Sequence, residues 1–424
     1  MTLAIRQPIK TLVYASLGLF IRIFVSTHFK DNLRQRVEIT TPINDWKRIQ
    51  EAIYLWNSGL DPYSGNLLHE YPVSLQFYKI IASYFNVDLA FAITDVIIAL
   101  LLRQSLASEQ SSKAQWVFLT YLFSPLTILA CAGQSTSIFT NFLISIICLT
   151  LQIEQFRALT CVLCAFLACN NIHYATTILP IFLCIEYCSY RRQNKQHSKD
   201  TSELTYYSNH KKFLSSLIIS GSLCLLSVIT LMLASYLLMS NKWSFLKATY
   251  LFVLRVQDLT PNIGMIWYFF TVMFDFFADF FICVVQINAF IHAIPISVCL
   301  RDHPFFALSI TILMSTIFQP YPNLAHIGLT TSLLAQYLDL IPFMRQGLKV
   351  ACAMISCLSL MPVFWHLWIM MDTANANFYF GATLAFSASL VLLLMDLLTA
   401  HGHMVIKRKY DLYNKEKTES GCFS

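Results

Sequence analysis

The segment 29–72 gathers Arg36, Glu38, Asp45, Asp61 and Glu70 in a chain that is otherwise poor in charge. A carboxylate such as Glu38, set beside an acceptor hydroxyl, can serve as a general base, and basic neighbours can hold a phosphate. Arg34 and Arg36 lie close enough in sequence for that role, and an ordinary ion pair is the competing account of the trio. Further polar side chains recur at the ends of apolar runs: Gln134, Asn170-Asn171-Ile172-His173, Asn262, Asp275, Asn323, and the segment Asp372 to Asn377. Ionisable and amide groups at membrane depth are costly unless partnered, so their gathering predicts a polar cavity at one face. Asn170, Asn171 and Asp275 sit within or against apolar runs, where a bland loop would not place them. The expected polar site on that face comprises Glu38, Arg36, Asn171 and His173.

The elements that must position these groups are helices in lipid. The chain is 56% hydrophobic and 12% charged, with 33 Phe, against about 25% charged residues in soluble domains. Twelve mostly apolar stretches tile it, near 11–28, 86–103, 115–131, 135–153, 157–172, 174–188, 213–239, 277–300, 304–319, 321–341, 348–370 and 377–399. A bilayer core needs about 20 helical residues per crossing, and every backbone group must be satisfied inside it. The fold class is therefore all-α, a polytopic membrane protein with about 12 transmembrane helices. Residues 1–400 form one multi-span domain and 401–424 a tail, and the first span reads as an uncleaved anchor.

Orientation follows from the basic residues near span ends. Segment 190–212 carries Arg191, Arg192, Lys195, Lys199, Lys211 and Lys212 against Asp200 and Glu203; the tail has Lys407, Arg408 and Lys409, and the N-terminus Arg6 and Lys10. All three belong in the cytosol, which places 29–72 on the far side. The net charge of +6 comes from these flanks, so it reports topology and not nucleic-acid binding. Many of the thirteen cysteines, such as Cys148, Cys161, Cys164, Cys169, Cys224 and Cys352, fall inside spans and read as small apolar groups. Patterns for a phosphate loop, a zinc helix or a dinucleotide turn are absent, so neither a metal nor a cofactor is expected.

Within 29–72, Thr41-Pro42 to Asp45 reads as a turn and helix cap, with Trp46, Ile49, Ile53 and Trp56 following at helical spacing. The stretch from Asn57 through Gly59 to Pro62 stops that helix. Segment 71–84 is too mixed for a span and suits the interface.

These motifs carry a resemblance. Arg36-Val-Glu-Ile-Thr-Thr-Pro-Ile-Asn-Asp-Trp46, Asp61-Pro-Tyr-Ser-Gly65 and His69-Glu-Tyr-Pro72 resemble the first luminal loop of the U-subunit family of glycosylphosphatidylinositol (GPI) transamidase. Thr260-Pro-Asn-Ile-Gly264, Ile266-Trp-Tyr-Phe-Phe270 and Met273-Phe-Asp275 are similar to that family's aromatic-acidic segment, with Val272 standing at its first acidic position. Phe281 to Asn288, Arg301-Asp-His-Pro304, Tyr321-Pro322, Pro362 to Trp368 and Ala374-Asn-Ala-Asn-Phe378 continue it in order, from about residue 11 to 400.

The resemblance implies an architecture like the GT-C glycosyltransferases, such as the first GPI mannosyltransferase, in the endoplasmic reticulum membrane with both termini cytosolic. It implies a non-catalytic subunit that recognises and positions the GPI glycolipid. The thiol nucleophile lies on the caspase-like PIG-K subunit, and PIG-T, PIG-S and GPI anchor attachment protein 1 complete the set of partners. The expected GPI-binding residues are Asn375, Asn377, Phe378, Asp275, Trp267, Tyr268 and Phe270: aromatics for the lipid chain, amides and a carboxylate for the glycan. Glycosyl transfer from a dolichol-phosphate sugar, with Glu38 as the base, is the alternative. A transporter has no internal repeat to support it.

Overall fold

A computed structural model describes residues 2–107, 111–197 and 210–420. Most of the segment expected to be a basic cytosolic loop, 198–209, lies outside the described residues. Among those described, regular structure is helical throughout, and the one β-type pairing is an isolated bridge between Asp45 and Ser135. Every one of the twelve apolar stretches carries a helix. Among the described residues, seven helices are long and apolar enough to cross a bilayer, from Ile9–Arg34 to Ala376–Asp411. An eighth crossing is the bent pair Ser112–Leu122 and Pro125–Ala132, turned by 44°. Pro125 forces the bend: Ser124 before it is held extended (φ −64°, ψ 125°), as a residue preceding proline must be. Four expected spans are shorter helices, Ser137–Thr150, Arg157–Asn170, Pro304–Phe318 and Leu324–Leu334.

The chain divides into two compact units, residues 1–333 and 334–424. In the first, the amphipathic helix Trp46–Asn57 forms where its cap and spacing predict. Asp45 accepts the Lys47 amide at 3.0 Å, and Trp46, Ile49 and Ile53 are buried. The helix stops at Asn57, and Gly59 turns the chain with φ +76°, a conformation costly to any residue with a Cβ. Trp46 is fully enclosed, its ring 5.9 Å from Tyr78 and 5.2 Å from Phe91. Helix Trp46–Asn57 is thereby pinned to helices Pro72–Tyr84 and Val87–Ala107.

The first span is locked by a buried ion pair. Arg22 Nε donates to Asp95 Oδ2 at 2.6 Å, and neither side chain is solvent-exposed. Tyr121 donates to the other Asp95 oxygen at 2.6 Å, and Arg22 also reaches the Leu122 carbonyl at 2.8 Å. A buried pair offsets its desolvation only when its remaining donors and acceptors are met, and here they are. Gly18, one turn earlier, permits the approach: a Cβ there would lie 2.4 Å from Leu122 Cδ1. By contrast, helix Asp275–Ile291 leaves Phe276, Phe277, Phe280, Val284, Ile287 and Ile291 exposed, a surface suited to acyl chains.

The second unit is built on helix Gly347–Trp365 and the long helix Ala376–Ser420. Asp396 on the latter accepts the Arg345 and Gln346 amides, each at 3.0 Å. These are orphan donors at the start of the former helix, and a carboxylate there also meets the positive end of its dipole.

Candidate functional site

Where 29–72 meets the ends of helices Ser137–Thr150, Arg157–Asn170 and Leu324–Leu334, a polar cavity of about 40 Å³ opens. His69, Glu70, Asn170, Asn171, Tyr250 and His326 line it, with Asn44 and a row of hydroxyls from Thr136, Ser137 and Thr140. It lies wholly within the first unit.

His69 is held face to face on Phe252, with ring centroids 3.4 Å apart. Its Nδ1 lies 2.8 Å from the Ala248 carbonyl, on the wide π-turn Lys247–Leu251. A carbonyl only accepts, so Nδ1 carries the proton and Nε2 presents a lone pair. Burial pushes the His69 pKa down to about 4, so the ring is neutral near pH 7. Nε2 is buried and meets no donor among the described residues.

Glu70 is 8% exposed. Among the described residues its carboxylate takes one hydrogen bond, from the Thr136 hydroxyl, and pairs with no lysine or arginine. Burial lifts its pKa to about 7, a rise that the Thr136 bond partly offsets. Its backbone carbonyl accepts from Tyr63 at 2.8 Å, which fixes the turn.

His326 faces the same space from helix Leu324–Leu334, whose first turn Asn323 caps by accepting the His326 amide at 3.1 Å. The Gln319 amide nitrogen lies 3.0 Å from His326 Nδ1. An amide nitrogen only donates, so Nδ1 accepts and Nε2 carries the proton, again with no partner among the described residues. Glu70, His69 and His326 thus line one cavity.

The predicted polar set is split by the structure. Asn171 lines the cavity, accepting the His173 amide at 3.1 Å and donating to Gln319 at 3.4 Å. His173 turns away: its Nε2 lies 3.1 Å from Gln286 Oε1 and its ring stacks on Phe290. Glu38 is 4% exposed, and its carbonyl accepts the Leu324 amide at 3.3 Å. Arg36 serves the turn through its carbonyl, which accepts from Ile39 and Thr40. Arg34 is tied to Gln134, which in turn donates to Asp88.

The aromatic-acidic segment divides as well. Trp267 and Phe270 are buried, Phe270 in an apolar cluster with Phe252, Val256 and Tyr321. Tyr268 is half-buried, while Phe274 and Asp275 at the start of helix Asp275–Ile291 are exposed. In the second unit, Asn375 caps helix Ala376–Ser420 by accepting the Asn377 amide at 3.1 Å. Asn375, Asn377 and Phe378 are all exposed, following a π-turn at His366–Met370. Two amides and an aromatic face therefore project together at one helix start. Sequence reasoning named Glu70, Asn170 and Asn171 but missed His326, whose only signal was a lone imidazole in an apolar run.

Residues 16–386 match the family model described as GPI transamidase subunit PIG-U. The chain is 32% identical over 410 residues to the GPI-anchor transamidase component PIGU of Homo sapiens, covering 90% of this chain and 89% of that one. It is 29% identical over 383 residues to the GPI transamidase component GAB1 of Saccharomyces cerevisiae (89% and 91%). To the GAB1 homologue of Schizosaccharomyces pombe it is 26% identical over 407 residues (93% and 94%).

Proposed function

The chain belongs to the family of the GPI transamidase subunit PIG-U, and from that membership we infer that it recognises and positions the GPI glycolipid within the transamidase of the endoplasmic reticulum membrane. The observation that carries the reading is the collinear match over 16–386, which spans both the polar cavity and the exposed Asn375–Phe378 start of the last helix. In this reading the acyl chains lie along exposed aromatic side chains such as Phe378. The glycan meets the amides of Asn375 and Asn377. The terminal amine of the glycolipid is held near a thioester that the caspase-like PIG-K subunit forms with the precursor, and attack on its carbonyl releases that thiol. Holding both reactants in one assembly raises the rate by proximity, without a catalytic group on this chain.

PIG-T, PIG-S and GPI anchor attachment protein 1 are the remaining proposed partners, and exposed apolar faces such as Phe276–Ile291 offer surface to them and to lipid. Glycosyl transfer through Glu38 fits less well, because a general base needs a carboxylate open to its acceptor and Glu38 is 4% exposed. Deleting this chain from cells should leave GPI-anchored precursors unprocessed while free GPI accumulates. Normal anchoring after a clean deletion would refute the reading.

A further inference from the structure

Glu70 poses a problem that the general role does not solve. A buried carboxylate ordinarily has a cation or several donors as company, yet this one meets a single hydroxyl among the described residues. Beside it, His69 also lines the cavity, and its buried Nε2 meets no hydrogen-bond partner among the described residues. Both residues line a cavity of about 40 Å³. One water needs roughly 10–15 Å³ by this measure, so the enclosed space holds about three small heavy atoms.

We propose that this cavity is a receptor for a primary ammonium group on a short alkyl tether, with Glu70 as its counter-ion and His69 Nε2 as a second acceptor. The aminoethyl end of an ethanolamine phosphate has the right size, charge and three N–H donors. Its phosphate would extend along the wall that His326 also lines. Two lipids carry that group: the glycolipid, if the function proposed above holds, and phosphatidylethanolamine of the bilayer. A trimethylated head such as phosphocholine is too wide and has no N–H to give.

The test uses the purified transamidase complex containing the full chain, with native mass spectrometry of the lipids it retains. Phosphoethanolamine should displace the retained lipid, while phosphocholine and N-acetylphosphoethanolamine should not. The N-acetyl probe keeps the phosphate and loses the charge, so the wild-type complex decides the question even where variants fail to assemble. Glu70→Gln should weaken retention at least about tenfold, the weight of one charge-assisted hydrogen bond. Retention by Glu70→Gln equal to wild type, or equal displacement by the N-acetyl probe, overturns the proposal. Loss of phosphatidylethanolamine alone in Glu70→Gln supports the site with the bilayer lipid as its source. If the wild-type complex holds no GPI, the glycolipid reading fails, and the site is then judged on the phosphatidylethanolamine arm.

Discussion

Replacing Glu70 by Gln should leave stability nearly unchanged near pH 4 and raise it at pH 8. The folded protein lifts this carboxyl from 4.5 to about 7 by burying it. Between those values the folded chain keeps a proton that the unfolded chain has released. That contribution is complete below pH 4.5 and is lost as pH rises through 7, after which the ionised group bears its full burial penalty. At 1.36 kcal/mol per pKa unit the loss is about 3 kcal/mol, and Gln, which does not titrate, escapes it. His69 runs the other way: lowered from 6.5 to about 4, it contributes stability above pH 6.5 that is lost on acidification. That contribution is shared by both proteins and falls out of their difference. Tyr63, whose pKa burial raises well above its ordinary value, stays protonated throughout. Thermal unfolding of both proteins in detergent from pH 4 to 8 reads the difference. A gap that does not change with pH, or one that widens towards acid, would refute the argument. Phosphoethanolamine at pH 8 should narrow the gap by stabilising the wild type alone.

The Arg22–Asp95 pair should behave as an all-or-none lock. Arg22→Met or Asp95→Asn alone should cost about 3–5 kcal/mol by stranding the buried partner, while Arg22→Met with Asp95→Leu should recover much of it, read as folded yield in detergent. Asn375→Ala with Asn377→Ala should cut GPI attachment steeply at normal protein level, and Asn375→Asp should keep the helix cap, worth about 1 kcal/mol. If a Glu38→Gln variant abolishes attachment while the double Asn change is silent, the working site lies at Glu38. Glycosylation acceptors placed in 190–212 should stay unmodified and those in 240–260 should be modified; the reverse pattern would invert the proposed topology.

What the sequence could show was local. Asp45, Trp46, Ile49 and Ile53 carry the cap and helix Trp46–Asn57 in their own spacing, and the structure keeps both. The Asn170–His173 group was visible as amides set in apolar runs, because burying an amide is costly enough to mark a place where a partner must exist. Which partner it has is a tertiary fact. Asn171 finds Gln319, 148 positions away, while His173 turns to Gln286, and nothing in their adjacency separates them. Arg22 and Asp95 lie 73 positions apart in two apolar runs, so each alone looks like an error of the span. His326 was invisible for the same reason: a single imidazole gives no sign of whether its second nitrogen is satisfied.

The cavity chemistry also accounts for how such a site is tolerated when empty of ligand. A carboxylate that stayed charged in this setting would tax folding at every pH. Raising its pKa to about 7 lets a proton occupy the place of the ammonium, so near pH 7 only about half of the carboxyl groups are charged. An incoming amine must displace that proton, and its own positive charge then repays the ionisation of Glu70. Charge is therefore conserved within the pocket on binding, which disfavours inorganic anions and neutral heads alike. The neighbouring His69, neutral and fixed by the Ala248 carbonyl, adds an acceptor without adding repulsion. Selectivity then rests on N–H count and width, properties that separate an aminoethyl group from a trimethylated one in a membrane rich in both.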